Sequence, residues 1–345
     1  VSRSPLARLA GRWARSLVEV TDDIGALESG GRWAVAVPYS GRPVLARFDD
    51  WSAADTVVSG PWVGPDVASW QSSMDENAYR ARVGLIREAI EAGTVYQANL
   101  CRILSAAMPD GTADDVAGLH QLLERGNPSP YGGFLRLPGH GVAVVSASPE
   151  LFLSVRTTES GRVVTSGPIK GTGATAADLT DKDSAENVMI VDLVRNDLSR
   201  VCVPGSVTVP ALLEVQEHPG LVHLVSRVQG LLCGDVTWSG LFAATFPPGS
   251  VTGAPKSSAL RVIDECESAP REFYCGAFGW VDADAGEAEL AVAIRTFWLR
   301  DGVLRFGTGA GITWASDARR EWEETELKAR RLVEVASGAW PGDGR

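Results

Sequence analysis

The chain is short of most features that assign a protein at a glance. Its five cysteines (Cys101, Cys202, Cys233, Cys266, Cys275) form an odd, scattered set with no C-x-x-C. That speaks against a disulfide framework or a structural zinc site and fits a reducing cytoplasm. No apolar run approaches the ~18 residues needed to span a bilayer, so no spanning helix is expected. There is no G-x-G-x-x-G behind a strand, no G-x-x-x-x-G-K-[ST] phosphate loop and no internal repeat. Acidic residues outnumber basic ones 43 to 32, so no broad basic surface is offered to nucleic acid. An anionic ligand would need local positive charge or a metal.

Lysine is the scarcest charge. Lys170, Lys182, Lys256 and Lys328 stand against 28 arginines. Two of the four fall in Gly/Pro-rich turns, S-G-P-I-K-G-T and T-G-A-P-K. Codon bias explains the ratio but not that placement. An amine, unlike a guanidinium, readily loses its proton and acts as a nucleophile. Arg3, Arg8, Arg12 and Arg15 precede any acid, but without the apolar stretch of a secretory signal they read as an ordinary N-terminal segment.

What is present is ample core material: 345 residues, 45% of them hydrophobic, enough for one large domain or two moderate ones. Apolar periodicity predicts helices over 77–92, 183–198, 255–267 and 316–336. Strands are expected over 33–37, 44–48, 142–155, 162–165, 207–216, 221–232, 277–281, 289–299 and 303–306. Strands and helices interleave without a steady βαβ rhythm, which implies an α+β sandwich-like core. Residues 1–72 read as an N-terminal, sheet-contributing subdomain and 73–338 as the catalytic domain.

Several side chains carry chemistry. Glu186 falls on an apolar helical arc with Met189, Ile190, Leu193 and Val194, where a carboxylate is costly unless paired or metal-bound. Its plain alternative is a capping box with Asp183 as N-cap. Glu321 and Glu324 share a helix face, readable either as a solvated surface or, with Glu186, as an oxygen-only site suited to Mg²⁺. Lys170 would project from a turn whose Gly171 and Thr172 offer N–H groups to an anion, or it is a surface loop lysine. Clean alternation over 290–299 puts Arg295 beside Ala291 and Ala293, a clearing for a bidentate carboxylate contact. Gly309, Ala310 and Gly311 permit close backbone approach. Lys256 at a helix start calls for a nearby anion.

Together the motifs resemble the chorismate-utilising family over about residues 75–336. They are Y-Q-A-N-L (96–100), S-P-E-L-F (148–152), P-I-K-G-T (168–172), A-E-N-V-M-I-V-D-L-V-R-N-D-L (185–198), H-L-V-S (223–226), F-P-P-G-S-V-T-G-A-P-K (246–256), A-I-R-T (293–296), G-A-G-I (309–312) and E-W-E-E-T (321–325). L-E-S (27–29) is a weaker match. The resemblance implies two large antiparallel sheets packed as a sandwich and ringed by helices. It implies Mg²⁺ held by Glu186 and Glu324 with Glu321 and Asp183 nearby. It also implies substrate contacts at Gly171, Thr172, Tyr274, Arg295, Gly309, Ala310 and Gly311, with His223 and Thr252 lining the site.

Two positions choose among branches. Members that add water carry a lysine base where this chain has Gln97, which argues against isochorismate and salicylate synthases. Lys170 stands where anthranilate synthases have a small residue, so the chain resembles the aminodeoxychorismate synthase component I branch. By that resemblance Lys170 attacks C2 of chorismate while Glu150 protonates the departing C4 hydroxyl, and ammonia then displaces the lysine. A free lysine is almost wholly protonated at neutral pH, so this role asks for burial or adjacent positive charge. No G-x-C-x-G elbow is present, and the resemblance implies a separate glutamine amidotransferase subunit. The Arg-Pro-Arg that often follows Gly-Thr in the family is replaced by a short linker, Gly173-Ala174-Thr175. Ser29, Pro130 and Tyr131 resemble a tryptophan pocket, readable as regulatory site, structural site or core.

Overall fold

The computed structural model describes residues 4–53, 61–109, 115–173, 175–218 and 221–339. Strands β1 (Leu6–Leu9), β2 (Arg12–Thr21), β3 (Arg32–Val37), β4 (Val44–Ser52) and β5 (Gln71–Ser72) lead into helix α1 (Glu76–Glu91). Then come β6 (Gln97–Ala107), α2 (Val116–Gly126), β7 (Tyr131–Leu137), β8 (Val142–Ser148), β9 (Leu151–Thr158), β10 (Gly161–Gly167) and β11 (Ile169–Gly173). Helix α3 (Asp181–Ser199) precedes β12 (Thr208–His218), β13 (Leu221–Leu231), α4 (Trp238–Thr245), β14 (Gly253–Ala254) and α5 (Lys256–Cys266). The chain continues through β15 (Ala277–Asp282), β16 (Glu287–Val292), β17 (Thr296–Arg300), β18 (Val303–Ile312) and α6 (Ala318–Ala336).

The fold is α+β, and every strand pairing is antiparallel. The pairings form one unbroken series, β12-β13-β10-β9-β16-β15-β3-β4-β2-β1-β7-β8-β17-β18-β6, with β11 on β13 and β5 and β14 on β6. This ribbon doubles back on itself. Val35, Leu45, Leu153 and Val292 from one half share a core with Leu135, Val144 and Trp298 from the other. Alternation then sends Phe134, Val145, Phe297 and Phe306 outward against α2 and α6. A third cluster packs α1 and α5 on Ala98, Leu100, Ala310 and Ile312. The two expected layers are therefore present as halves of one folded-over sheet. The N-terminal strands are woven into it, since β1 pairs with β7 and β3 with β15.

Two long expected strands are each broken by a corner. Residues 142–155 form β8 in one half and β9 in the other, and the chain crosses between layers at Pro149-Glu150. Residues 289–299 divide in the same way into β16 and β17. The alternation expected around Arg295 fails there, because Arg295 adopts a left-handed φ of 50°. The corners are tied together: Val292 N–H donates to Glu150 O at 3.0 Å and Ala147 N–H to Arg295 O at 2.9 Å.

Candidate active site

Corner geometry buries Glu150, which is 4% exposed. Burial pushes its carboxyl up to about 7, against the opposing pull of the Ser250 hydroxyl and the Lys170 ammonium. Lys170 lies on β11, not in a turn as expected, and the register slips between Ile169 and Thr172. Such a bulge re-aims a side chain, with Gly171 supplying the left-handed residue at φ 84°. Lys170 Nζ donates to Ser250 O at 3.1 Å, so the amine and the Glu150 carboxyl meet at one residue. The charges facing Lys170 are the carboxylates of Glu150, Glu186 and Glu324, so of the two expected aids, burial or adjacent positive charge, the second is not what surrounds it.

The acid patch assembles from α3 and α6. Glu186 Oε1 is 3.6 Å and Glu321 Oε1 3.1 Å from Lys182 Nζ. Glu324 pairs with Lys328 at 2.6 Å. Burial raises the Glu186 carboxyl, with Lys170 and Lys182 pulling it down and Glu321 and Glu324 adding to the rise. For Glu324 burial is outweighed by Lys328, then Lys182 and Lys170, and its carboxyl falls below the ordinary range. For Lys182, burial is outweighed by Glu321 and Glu186, which hold the ammonium above its usual range.

The cap reading of Glu186 is overturned. Thr180 is the N-cap of α3, and its capping-box partner is Asp183. Asp183 Oδ2 accepts from Thr180 N–H at 2.8 Å and Thr180 Oγ1 at 2.6 Å, so it serves the helix end. The solvated-face reading also fails for Glu321, which is 3% exposed on the buried stripe continued by Thr325 and Ala329. Glu324 remains half-exposed at the stripe's edge.

Among the described residues no three His, Cys, Asp or Glu side chains stand ready to hold a metal. The donor set nonetheless fits a hard cation. Glu321 Oε2 is buried without a hydrogen-bond partner, and the Lys182 ammonium supplies positive charge between the two carboxylates. An oxygen-only set of this kind suits Mg²⁺.

The third wall is a glycine-rich strand against which neighbouring side chains lie. Gly307, Gly309 and Gly311 share one face of β18. A Cβ on Gly307 would lie 2.0 Å from Tyr274 Cγ, one on Gly309 2.7 Å from Cys101 Sγ, and one on Gly311 2.4 Å from Gln97 Nε2. Ala310 points the other way, into the α1–α5 core. Gln97 is fully buried with both amide atoms unpaired. Asn99 Nδ2 donates to Ser250 O at 3.4 Å while its Oδ1 is unpaired. Lys328 Nζ also reaches Gly309 O at 3.1 Å. These contacts join the glycine strand to Lys170 and to the acid patch. Thr252 is buried beside Asn99, its carbonyl accepting from Asn99 N–H at 2.8 Å. His223 is buried opposite Thr172 in the β11–β13 register. Burial alone lowers the Arg295 guanidinium, and burial leads the rise of the Tyr274 hydroxyl.

Comparisons with known proteins bear on the family and the fold. Residues 54–334 match the chorismate binding enzyme family. The chain belongs to that family. It is 37% identical over 278 residues to anthranilate synthase component 1 of Saccharolobus solfataricus, covering 77% of this chain and 63% of that protein. It is equally identical over 278 residues to aminodeoxychorismate synthase component 1 of Salmonella typhimurium, covering 77% of this chain and 59% of that one. The matched part thus spans about six-tenths of each relative. Anthranilate synthase component I from Streptococcus pneumoniae superposes with a TM-score of 0.78 at 24% identity, covering 96% of this chain and 93% of that one. The menaquinone-specific isochorismate synthase from Escherichia coli gives 0.80 at 18%, covering 96% and 88%. These two share the fold.

For a chorismate binding enzyme, some site members escaped the sequence reading. Lys182 is an i,i+4 partner of Glu186, a signal visible in the spacing. Lys328 stands in the same i,i+4 relation to Glu324. Ser250 and Asn99 carry no signal apart from their motifs. Lys256 is resolved as structural: its Nζ is 2.6 Å from Asp197 Oδ2 and 2.9 Å from Thr245 O. Ser29 and Pro130 are exposed, and the Ser29 hydroxyl donates to Ala26 O at 2.6 Å. Tyr131 is half-buried opposite Ser148. Of the linker after Thr172, Ala174 lies outside the described residues.

Proposed function

We propose that the protein aminates chorismate with ammonia to 4-amino-4-deoxychorismate, on the route to 4-aminobenzoate and folate. The observation that carries this reading is the meeting of the Lys170 amine and the Glu150 carboxyl at Ser250. One proton passing from the ammonium of Lys170 to the carboxylate of Glu150 makes both groups competent at once, a nucleophilic amine and a general acid. Lys170 Nζ then bonds to C2 of the ring. The two ring double bonds shift, the C4–O bond breaks, and Glu150 supplies the proton with which the hydroxyl leaves as water. Ammonia bonds to C4, the double bonds return, and Lys170 departs as the neutral amine.

The remaining residues hold the substrate. Arg295 offers a partly buried guanidinium, suited to a bidentate carboxylate contact. Tyr274, His223 and Thr252 would line the space, with the backbone of Gly171, Thr172, Gly309 and Gly311 completing it. Glu186, Glu321 and Glu324 would hold Mg²⁺, with Asp183 supporting α3, once Lys182 swings aside. Bound there, Mg²⁺ would supply Lewis-acid neutralisation of a substrate carboxylate. Ammonia would come from a separate glutamine amidotransferase subunit. Five free thiols suit a reducing cytoplasm, and no helix among the described residues is long and apolar enough to cross a membrane.

Incubation with chorismate, Mg²⁺ and ammonium, with product identified by mass spectrometry, tests the reading. The expected product retains the enolpyruvyl group. Release of pyruvate with fluorescent anthranilate would instead assign anthranilate synthase component I activity. Lys170→Ala should lose covalent capture of the ring and most turnover, and ammonia-dependent turnover at the wild-type rate would remove Lys170 as nucleophile.

A further inference from the structure

A small cavity of about 20 Å³ lies behind Glu150. Its polar wall consists of Glu150, Ser166, Asp197, Thr245 and Ser250, and the rest is aliphatic, aromatic, proline and glycine. Neither Lys170 nor any member of the acid patch lines it. It is therefore a separate compartment that meets the reaction space through Glu150 and Ser250. A void of this size holds one molecule as large as water. A polar guest needs two to four partners, and the wall can supply them. Ser166 is 6% exposed and forms part of that wall. Asp197 and Ser250 add further oxygens, partly engaged with Lys256 and Glu150.

The chemistry says what that guest is. In the proposed double displacement the second step resembles the first run backwards, with nitrogen in place of oxygen. The incoming amine therefore takes the position at C4 that the departing water vacated. That position faces the acid that protonated the leaving group, and the same residue must now act as base. Ammonia forms the C4–N bond, the C2–Nζ bond breaks, and the surplus proton on the new ammonium passes to the Glu150 carboxylate. Glu150 ends the cycle protonated, as it began, and water is the only other product. The amine must thus arrive on the Glu150 side of the ring.

We propose that the Ser166 cavity is the ammonia station of the enzyme, holding one ammonia molecule against Glu150 until the lysine adduct has formed. This rests on the amination reading above. Its ligand class is a compact, uncharged N–H donor, and water is the competing guest.

Steady-state amination at saturating chorismate and Mg²⁺, with ammonium varied at pH 8.5, tests the station. Ser166→Val fills the space and removes the hydroxyl. It should raise the KM for ammonia tenfold or more while chorismate affinity by calorimetry stays within twofold. Ser166→Ala keeps the space and should raise that KM about three- to tenfold, and it decides the matter if circular dichroism finds Ser166→Val misfolded. An unchanged KM for ammonia, or a change in chorismate affinity alone, would overturn the station and leave a water-filled void. Wild-type enzyme that aminates at a carbon other than C4 would instead overturn the reading beneath it, and proton NMR of the product, which locates the amino carbon, separates the two failures.

Discussion

Glu150 shows how much one side chain can set by its surroundings. A carboxyl at about 7 is available as an acid at neutral pH and becomes a base after a single transfer. The groups facing it are the Ser250 hydroxyl and the ammoniums of Lys170 and Lys328. Carboxylate and ammonium together carry the same single proton as acid and amine, so rate per free ammonia should hold level above about pH 7 and fall below it, and Glu150→Gln should remove that limb and slow turnover by roughly 10²–10⁴. Stability carries the same signature. The folded carboxyl is raised above its unfolded value, so its contribution is complete below about pH 4.5 and lost as pH rises through about 7. Glu150→Gln should therefore unfold later than wild type at pH 8, by up to about 3 kcal/mol, in a urea titration.

At the level of elements, the site is a set of interruptions. Four helices were legible in the sequence because their apolar period and caps are local: 77–92 is observed as Glu76–Glu91, and 183–198 as Asp181–Ser199, whereas the shorter α2 and α4 were not expected. The glycine-lined strand and the key acids were legible as residues. The corner at Arg295 was not, because an unbroken alternation looks the same whether a strand runs straight or passes from one layer to the next; at Glu150 the preceding Pro149 was the local signal that the run breaks. What breaks each run is tertiary pairing, β9 with β16 in one half and β8 with β17 in the other. The buried position of Glu321 was equally hidden, since nothing in E-W-E-E-T says which neighbour covers it. Gly307 exposes another such dependence. Its missing side chain is what lets the Tyr274 ring lie against β18. Gly307→Ala should displace that ring, destabilise the fold by about 1–3 kcal/mol in thermal melts, and weaken chorismate binding with it.

The whole molecule is one pairing network, and that constrains how it comes apart. Strands β1 to β4 sit in the middle of the series, flanked by β15 on one side and β7 on the other. Removing residues 1–72 would cut the ribbon and expose two long edges with unpaired backbone groups. We expect such a deletion to aggregate, and the intact chain to give a single calorimetric transition whose van't Hoff and calorimetric enthalpies agree. Two separate transitions would show that the N-terminal segment is an independent unit.

The acid patch draws one carboxylate from α3 and two from α6, with residues 186 and 324 far apart along the chain. During translation the earlier glutamate leaves the ribosome well before its counterparts exist. Until α6 docks, α3 holds only Glu186 beside Lys182, an ordinary ion pair with little pull on a divalent ion. The patch therefore cannot exist before α6 has been made and has docked on α3.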